Sequence, residues 1–467
     1  MNEIRDAYHF LDSVCTQYAD SIAFTYLRDR QPVEVTYSSF FYHVRQAAQH
    51  LSDILGEEKR VALIAENSYE WIVCYWAVLL LGKSALLVDP EMSEAEITER
   101  LERFHIRFAC VGKESGDYGN VRKIPMEIPD CSALDLEGYD RLNREKNEAV
   151  IRFSTGTTGD FKAIYLCQRS VACSIDTNGS VGIRSVYIPL PFVHVSAHVG
   201  INTALCMGSK VCIGSGNKYV LKDLQIFEPE MVAATPIHLK MFAQRMERRA
   251  DDPEIAQKIF GRNLKRILTG GASPQKQVLD MLRERDIHVF SAYGSSEVAV
   301  IASGEIGGED KCLGRPVPYL ELDFDDGEIL VKGPSVFLGY AEGEDVSDEW
   351  YHTGDLGYLD ESGRLFMTGR KKNLIILSNG KNVSPEHLEA ELFTIPEVAE
   401  AIVYGEDDRI CAEIYPKDLS EETQQNIRER IRERNLVKPT YYQIQKIIFR
   451  DEPFPKIGIG KIKRNHS

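Results

Sequence analysis

Residues 60–90 read RVALIAENSYEWIVCYWAVLLLGKSALLVDP. VALIA is a short apolar run of strand length, Asn67 and Ser68 are helix-capping residues, and the apolar segment after them ends at Gly82 before a second run, ALLVD. Strand, capped helix, glycine, strand is the pattern of a βαβ unit, which places the two strands in parallel. The longest apolar run, Trp71 to Gly82, is about half the roughly 20 residues a bilayer span needs, so it is expected as a buried helix.

The alternation returns at Ser185 to Gly214 and at Glu230 to Phe290, so the body is α/β with largely parallel sheets. From Glu321 the texture changes to short strands with acidic-glycine turns, ELDFDDGEILVKG and GYLDESGRLFMTG, the mark of a small β subdomain. After GRKKN, at Gly369 to Asn373, come a helix starting near Ser384-Pro385, the strands AIVYG and ICAEIY, and a charged helix from Ser420 to Asn435. The expected organisation is a large N-terminal domain of several subdomains, residues 1–370, and a smaller, mobile α+β C-terminal domain, residues 371–467. A glycine-flanked, charged junction between them suits a hinge.

With 467 residues, 43% hydrophobic and 27% charged, the chain has an ordinary globular composition and is long for one core. Its net charge of −16 argues against a nucleic-acid footprint. Ten scattered cysteines without a CxxC pair, and an N-terminus without a signal segment, favour a reducing cytoplasm and no transmembrane segment. On that reading the sequons at Asn178 and Asn382 are chance matches. HVSAH places His194 and His198 at the spacing of a zinc helix but lacks the glutamate of HExxH, which disfavours a metal pair there.

The segment FSTGTTGDFKA, Phe153 to Ala163, collects hydroxyls and glycines ahead of a lone lysine. Such a loop can wrap a polyphosphate with backbone N–H groups and hydroxyls, or it is a solvated turn of small residues. It is no Walker A loop, GxxxxGK followed by Ser or Thr, because counting from Gly156 it offers Phe161, Lys162 and Ala163.

The loop resembles the phosphate-binding motif of the adenylate-forming superfamily: acyl-CoA synthetases, nonribosomal peptide adenylation domains and luciferases. Phe161 and Ala163 stand where that motif has proline and glycine. The other motifs follow in order: IPLPFVH at Ile188 to His194, GGASP at Gly270 to Pro274, SAYGSSE at Ser291 to Glu297, GEILVKGPSVFLGY at Gly327 to Tyr340, YHTGD at Tyr351 to Asp355, GRKKNLIILSNGKNVSPEHLE from Gly369, and PKIGIGKIKR from Pro455. The resemblance runs from about residue 20 to 464.

It implies an enzyme that joins ATP and a carboxylic acid into an acyl-adenylate, releases pyrophosphate, and passes the acyl group to a thiol. Ser154, Thr155, Gly156, Thr157, Thr158, Gly159 and Lys162 would hold the β and γ phosphates. Gly271, Ala272, Ser291, Ala292, Tyr293, Gly294 and Ser295 would surround the adenine, with Ser296 at the α-phosphate and Glu297 on Mg²⁺. Asp355 would accept the ribose hydroxyls with Arg370 beside it. Lys461 would bridge carboxylate and α-phosphate as the catalytic lysine, with His194 a second catalytic candidate, and Lys372 would be the hinge of the C-terminal lid. Ile375-Ile376-Leu377 replaces a lysine common in the family, which bears on contacts to CoA.

Amino-acid-activating members carry an aspartate that pairs with the substrate ammonium, whereas this chain reads PFVHVSAH there, so an acid without an α-amino group is expected. ICAEIYPKD and the C-terminal tail resemble fatty acyl-CoA synthetases, giving a fatty or other non-amino acid as substrate and CoA as acceptor. The alternatives are a stand-alone ligase loading carrier-protein phosphopantetheine and a nucleotide-binding pseudoenzyme.

Overall fold

The computed structural model describes residues 4–462 apart from 114, 140–143, 156–160, 177, 179, 250, 271–275, 308–311, 342, 344–345, 347–348, 379–380 and 458–460. It is a mixed α/β structure that divides into two compact units. The first comprises residues 1–154, 162–321 and 332–350, and the second residues 155–161, 322–331 and 351–467. The β strands on either side of residue 350 thus fall into different units. The second unit takes in 351–370 together with 371–467.

In the first unit the βαβ reading holds. Strands Arg60–Ile64 and Ser84–Val88 pair in parallel around helix Tyr69–Leu80, whose residues are all buried except Glu70. Ser68 caps that helix by accepting from the Trp71 N–H. Asn67 is not a cap: its amide donates to the Leu190 carbonyl at 2.7 Å and its carbonyl accepts from the Phe192 N–H at 2.8 Å, pinning the IPLPFVH segment to the βαβ unit.

These strands belong to a seven-stranded sheet ordered Gly339–Tyr340, Phe161–Cys167, Glu148–Thr155, Ser84–Val88, Arg60–Ile64, Phe108–Val111, Arg122–Pro125. In the unit's other sheet, Lys210–Ile213, Ser185–Tyr187, Met231–Ala234, Arg266–Gly270 and His288–Tyr293 run parallel in that spatial order. Glycine is required at 294, just beyond the last of these strands. A Cβ there would lie 1.8 Å from the Ala299 carbonyl oxygen, far inside van der Waals contact.

The second unit contains the hairpin-rich strands Glu328–Lys332, Tyr351–Leu359 and Leu365–Arg370, and a three-stranded sheet of Val398–Glu406, Arg409–Pro416 and Ile444–Phe449. Helix Pro385–Leu392 packs on that sheet through Leu388 and Leu392. The charged helix Glu421–Leu436, capped by Ser420, buries only Ile427 and Ile431, one turn apart on one face. No helix among the described residues is long and apolar enough to cross a membrane, and all ten cysteines are free.

Candidate active site

The strand Phe161–Cys167 leads out of the proposed phosphate loop and pairs antiparallel with Gly339–Tyr340. This pairing sets Lys162 Nζ 4.9 Å from the centre of the Tyr340 ring, a cation–π distance. The same tyrosine donates its hydroxyl to Glu297 Oε1 at 3.1 Å. Lys162, over the ring, and Glu297, at the hydroxyl, are thus brought to one side chain. Tyr340 closes GEILVKGPSVFLGY, one of the motifs that carry the resemblance, and the motif by itself assigns the tyrosine no such position.

Glu297 is held on its main chain as well: its N–H donates to Ser295 Oγ at 3.2 Å and its carbonyl accepts from the Phe337 N–H at 2.8 Å. A carboxylate fixed this way beside a loop lysine is a hard oxygen donor suited to Mg²⁺. Upstream, Ser291, Ala292 and Tyr293 end the strand His288–Tyr293, with Ser291 beside Thr269 and Ala292 beside Gly270 across the parallel pair. The turn that follows is closed by the bond from the Ala299 N–H to the Ser295 carbonyl at 2.9 Å.

In the second unit Asp355 and Arg370 are register partners across an antiparallel pair, and Arg370 Nε lies 2.9 Å from Asp355 Oδ1. Asp355 is buried, and its N–H donates to Thr353 Oγ1 at 3.1 Å. Close by in the same unit Glu328 is buried and accepts from Lys371 Nζ at 2.6 Å and from the Gly354 N–H at 3.0 Å. Lys372 lies in the short turn Lys371–Asn373 and is exposed. Of the PKIGIGKIKR tail, Lys461 lies in a two-residue strand paired with Lys456–Ile457. Its side chain lies outside the described residues, as do Gly156, Thr157, Thr158, Gly159, Gly271 and Ala272 and the side chains of Ser154 and Thr155.

His194 is the N-cap residue of helix Val195–Cys206 and makes no side-chain cap bond. Burial holds its pKa below the ordinary value, opposed by Asp89 and reinforced by Arg152, so the imidazole is neutral at pH 7. His198, one turn on, is buried against Trp71 and Tyr75, with ring centroids 5.7 and 4.6 Å away. Its pKa is driven further down by burial and by the Arg152 charge. Among the described residues no group of three or more His, Cys, Asp or Glu side chains is placed to hold a metal ion.

A family model described as AMP-binding enzyme matches residues 11–341. The chain belongs to the AMP-binding enzyme family. Among relatives in this family, the 2-succinylbenzoate–CoA ligase of Lactococcus lactis subsp. lactis (strain IL1403) is 27% identical over 449 residues, covering 92% of this chain and 94% of its own length. That of Listeria monocytogenes serotype 4b (strain F2365) is 28% identical over 459 residues, with 92% and 93% covered. The structure of O-succinylbenzoate coenzyme A synthetase from Bacillus subtilis with ATP and magnesium ion is similar with a TM-score of 0.75 and 25% identity, covering 98% of each chain. The chain is an AMP-forming acid–thiol ligase of the acyl-CoA synthetase type. The fatty-acid expectation drawn from the tail segments is not supported by these relatives, which are named for 2-succinylbenzoate.

Proposed function

We propose that this AMP-binding enzyme activates a compact, non-fatty carboxylic acid of the 2-succinylbenzoate class with ATP and Mg²⁺, then transfers the acyl group to CoA. The observation that carries the reading is the end-to-end similarity to 2-succinylbenzoate–CoA ligases, over 92% of this chain. The local chemistry agrees. Where amino-acid-activating members have an aspartate for the substrate ammonium, this chain reads PFVHVSAH, with two imidazoles that burial keeps neutral and no carboxylate to pair with an ammonium.

On this reading the loop ending at Lys162 neutralises the β and γ phosphates, which would otherwise repel the incoming carboxylate. Glu297, oriented by Tyr340, holds the metal, and the metal when bound supplies charge neutralisation at the phosphates. Tyr293 backs the adenine, Asp355 accepts the ribose hydroxyls, and Arg370, 2.9 Å from Oδ1, aims that carboxylate. Lys461 stabilises the charge that develops between carboxylate and α-phosphate. Because the thiol must then occupy the same space, residues 371–467 act as a lid that turns at Lys372, and His194 lies on the acyl side of the reacting centre.

ATP–pyrophosphate exchange with 2-succinylbenzoate, benzoate, medium- and long-chain fatty acids and amino acids tests the acid, with AMP rather than ADP as the nucleotide product. Exchange driven only by fatty acids, or by amino acids, overturns the assignment. Thioester formation with CoA and with a phosphopantetheinylated carrier tests the acceptor, and transfer to the carrier alone would reverse it. Nucleotide binding without exchange for any acid would mark a pseudoenzyme.

A further inference from the structure

Burying a carboxylate is costly unless it is well paired, and even a paired one seldom adds stability over apolar residues of the same shape. A buried carboxylate is therefore better explained by the geometry it imposes. Glu328 is 3% exposed at the start of strand Glu328–Lys332. Its Oε1 accepts from the Gly354 N–H at 3.0 Å, while Oε2 accepts from Lys371 Nζ at 2.6 Å and meets His352 Nδ1 at 3.1 Å. Burial alone would push its pKa up, but these bonds outweigh burial and hold the carboxyl below its ordinary value, so Glu328 is an anion at neutral pH.

The backbone shows what this carboxylate holds. Where Glu328–Lys332 pairs antiparallel with Tyr351–Leu359, Glu328 stands opposite Leu356 and Leu330 opposite His352. Thr353, Gly354 and Asp355 therefore face Ile329 alone and bulge out of the ladder. Amides in a bulge lose their ladder partners and must find others. The Gly354 N–H goes to Glu328, the Asp355 N–H goes to Thr353 Oγ1 at 3.1 Å, and that hydroxyl donates to the Ile329 carbonyl at 2.8 Å. Gly354 has φ +71°, in the left-handed region that favours glycine.

Arg370 and Lys371 are consecutive, yet they go to different carboxylates. Arg370 Nε lies 2.9 Å from Asp355 Oδ1 and Lys371 Nζ 2.6 Å from Glu328 Oε2. Two ion pairs thus clasp the end of strand Leu365–Arg370 to the bulge, immediately before Lys372. The lysine side chain is 54% exposed and the Glu328 side chain 4%, so the carboxylate is the fixed member of its pair.

We propose that Glu328 is a positioning residue for the nucleotide: it sets the Thr353–Gly354–Asp355 bulge so that Asp355 meets both ribose hydroxyls, and Lys371 secures it from the base of the hinge turn. The proposal rests on the ribose role given to Asp355 above. Glu328 acts through Gly354 and Asp355 and not by contact with the nucleotide.

The test measures Kd for ATP and for 2′,3′-dideoxy-ATP, each with Mg²⁺, by titration calorimetry on the full chain. No acid is needed, so the result stands apart from the substrate assignment. Wild type should bind ATP at least about tenfold more tightly than the analogue, which lacks the hydroxyls that Asp355 accepts. Glu328→Gln keeps the shape and loses the charge, and it should weaken ATP about tenfold and the analogue by no more than about twofold. Lys371→Met, at an exposed position, should shift the preference the same way by roughly threefold, and it decides the matter should Glu328→Gln fail to fold. In an Asp355→Asn background Glu328→Gln should add less than about twofold, because both changes act on one contact. Equal weakening of both nucleotides by Glu328→Gln, a loss additive with Asp355→Asn, or an unaltered preference in Lys371→Met overturns the proposal and leaves Asp355 its role. A wild type that binds ATP and the analogue equally takes the ribose from Asp355 and overturns both together.

Discussion

Arg370 Nε lies 2.9 Å from Asp355 Oδ1, across the antiparallel strands that close the β region of the second unit. The carboxylate is the more buried partner, with its side chain 8% exposed against 35% for the arginine. The arginine therefore orients Asp355 while keeping part of its own surface open to solvent. Asp355→Asn should raise KM for ATP by about tenfold or more, Arg370→Ala by less, and the double variant by less than the product of the two. Initial-rate kinetics in ATP measure all three, and independent effects would separate the residues functionally.

Tyr340 stands between Lys162 and Glu297, donating its hydroxyl to Glu297 and presenting its ring to Lys162. Glu297→Gln should abolish most exchange activity at ordinary Mg²⁺ and recover part of it at high Mg²⁺. Tyr340→Phe, which loses one hydrogen bond to a charged group, should raise the Mg²⁺ required for half-maximal rate by roughly tenfold. Chelation should stop the wild-type reaction reversibly. A Tyr340→Phe enzyme with an unaltered Mg²⁺ curve would remove the tyrosine from this role.

Lys461→Ala should slow acyl-adenylate formation by roughly 10²- to 10³-fold, the usual cost of a lost preorganised donor. Thioester formation from supplied acyl-adenylate should be affected far less, because the lysine acts only in the first transition state. Single-turnover measurement of the two half-reactions reads this directly. Equal losses in both would be evidence against the assignment.

Glu230 is a structural carboxylate and gives a pH prediction free of catalysis. Burial alone would raise its pKa, but it accepts from Arg184 at 2.6 Å through the side chain and 2.8 Å through the main chain, and from Lys265 at 3.0 Å. These bonds win and hold it at about 2, below its ordinary 4.5. A depressed carboxylate contributes stability that is fully present above the unfolded-state pKa and lost as the pH falls through the folded-state value. Thermal stability should therefore decline between about pH 4.5 and 2, with a shallower slope in Glu230→Gln.

Much of the architecture was legible along the chain because it depends on local rules. The period of the apolar residues and the Ser68 cap specify helix Tyr69–Leu80, and Ser420 specifies the start of helix Glu421–Leu436. The ordered motifs, each a run of a few residues, were enough to identify an adenylate-forming enzyme without any contact being known. The acid was read less well. Tail segments suggested fatty acids because short strand-rich stretches say little about a pocket built elsewhere in the chain.

What only the tertiary structure decided is which distant side chains meet. Alternation in strand Glu148–Thr155 separates Arg152 from Ile151, but what covers Arg152 depends on sheet order, which sets this strand beside Ser84–Val88 of the βαβ unit. Tyr340 is one residue in a two-residue strand, too short to carry a pattern, and its place between Lys162 and Glu297 exists only through its pairing with Phe161–Cys167. The physical reason is the same in both cases. Secondary structure follows from neighbours in sequence, whereas burial of a charge and closure of a hydrogen-bonded site follow from packing between elements that no local rule brings together.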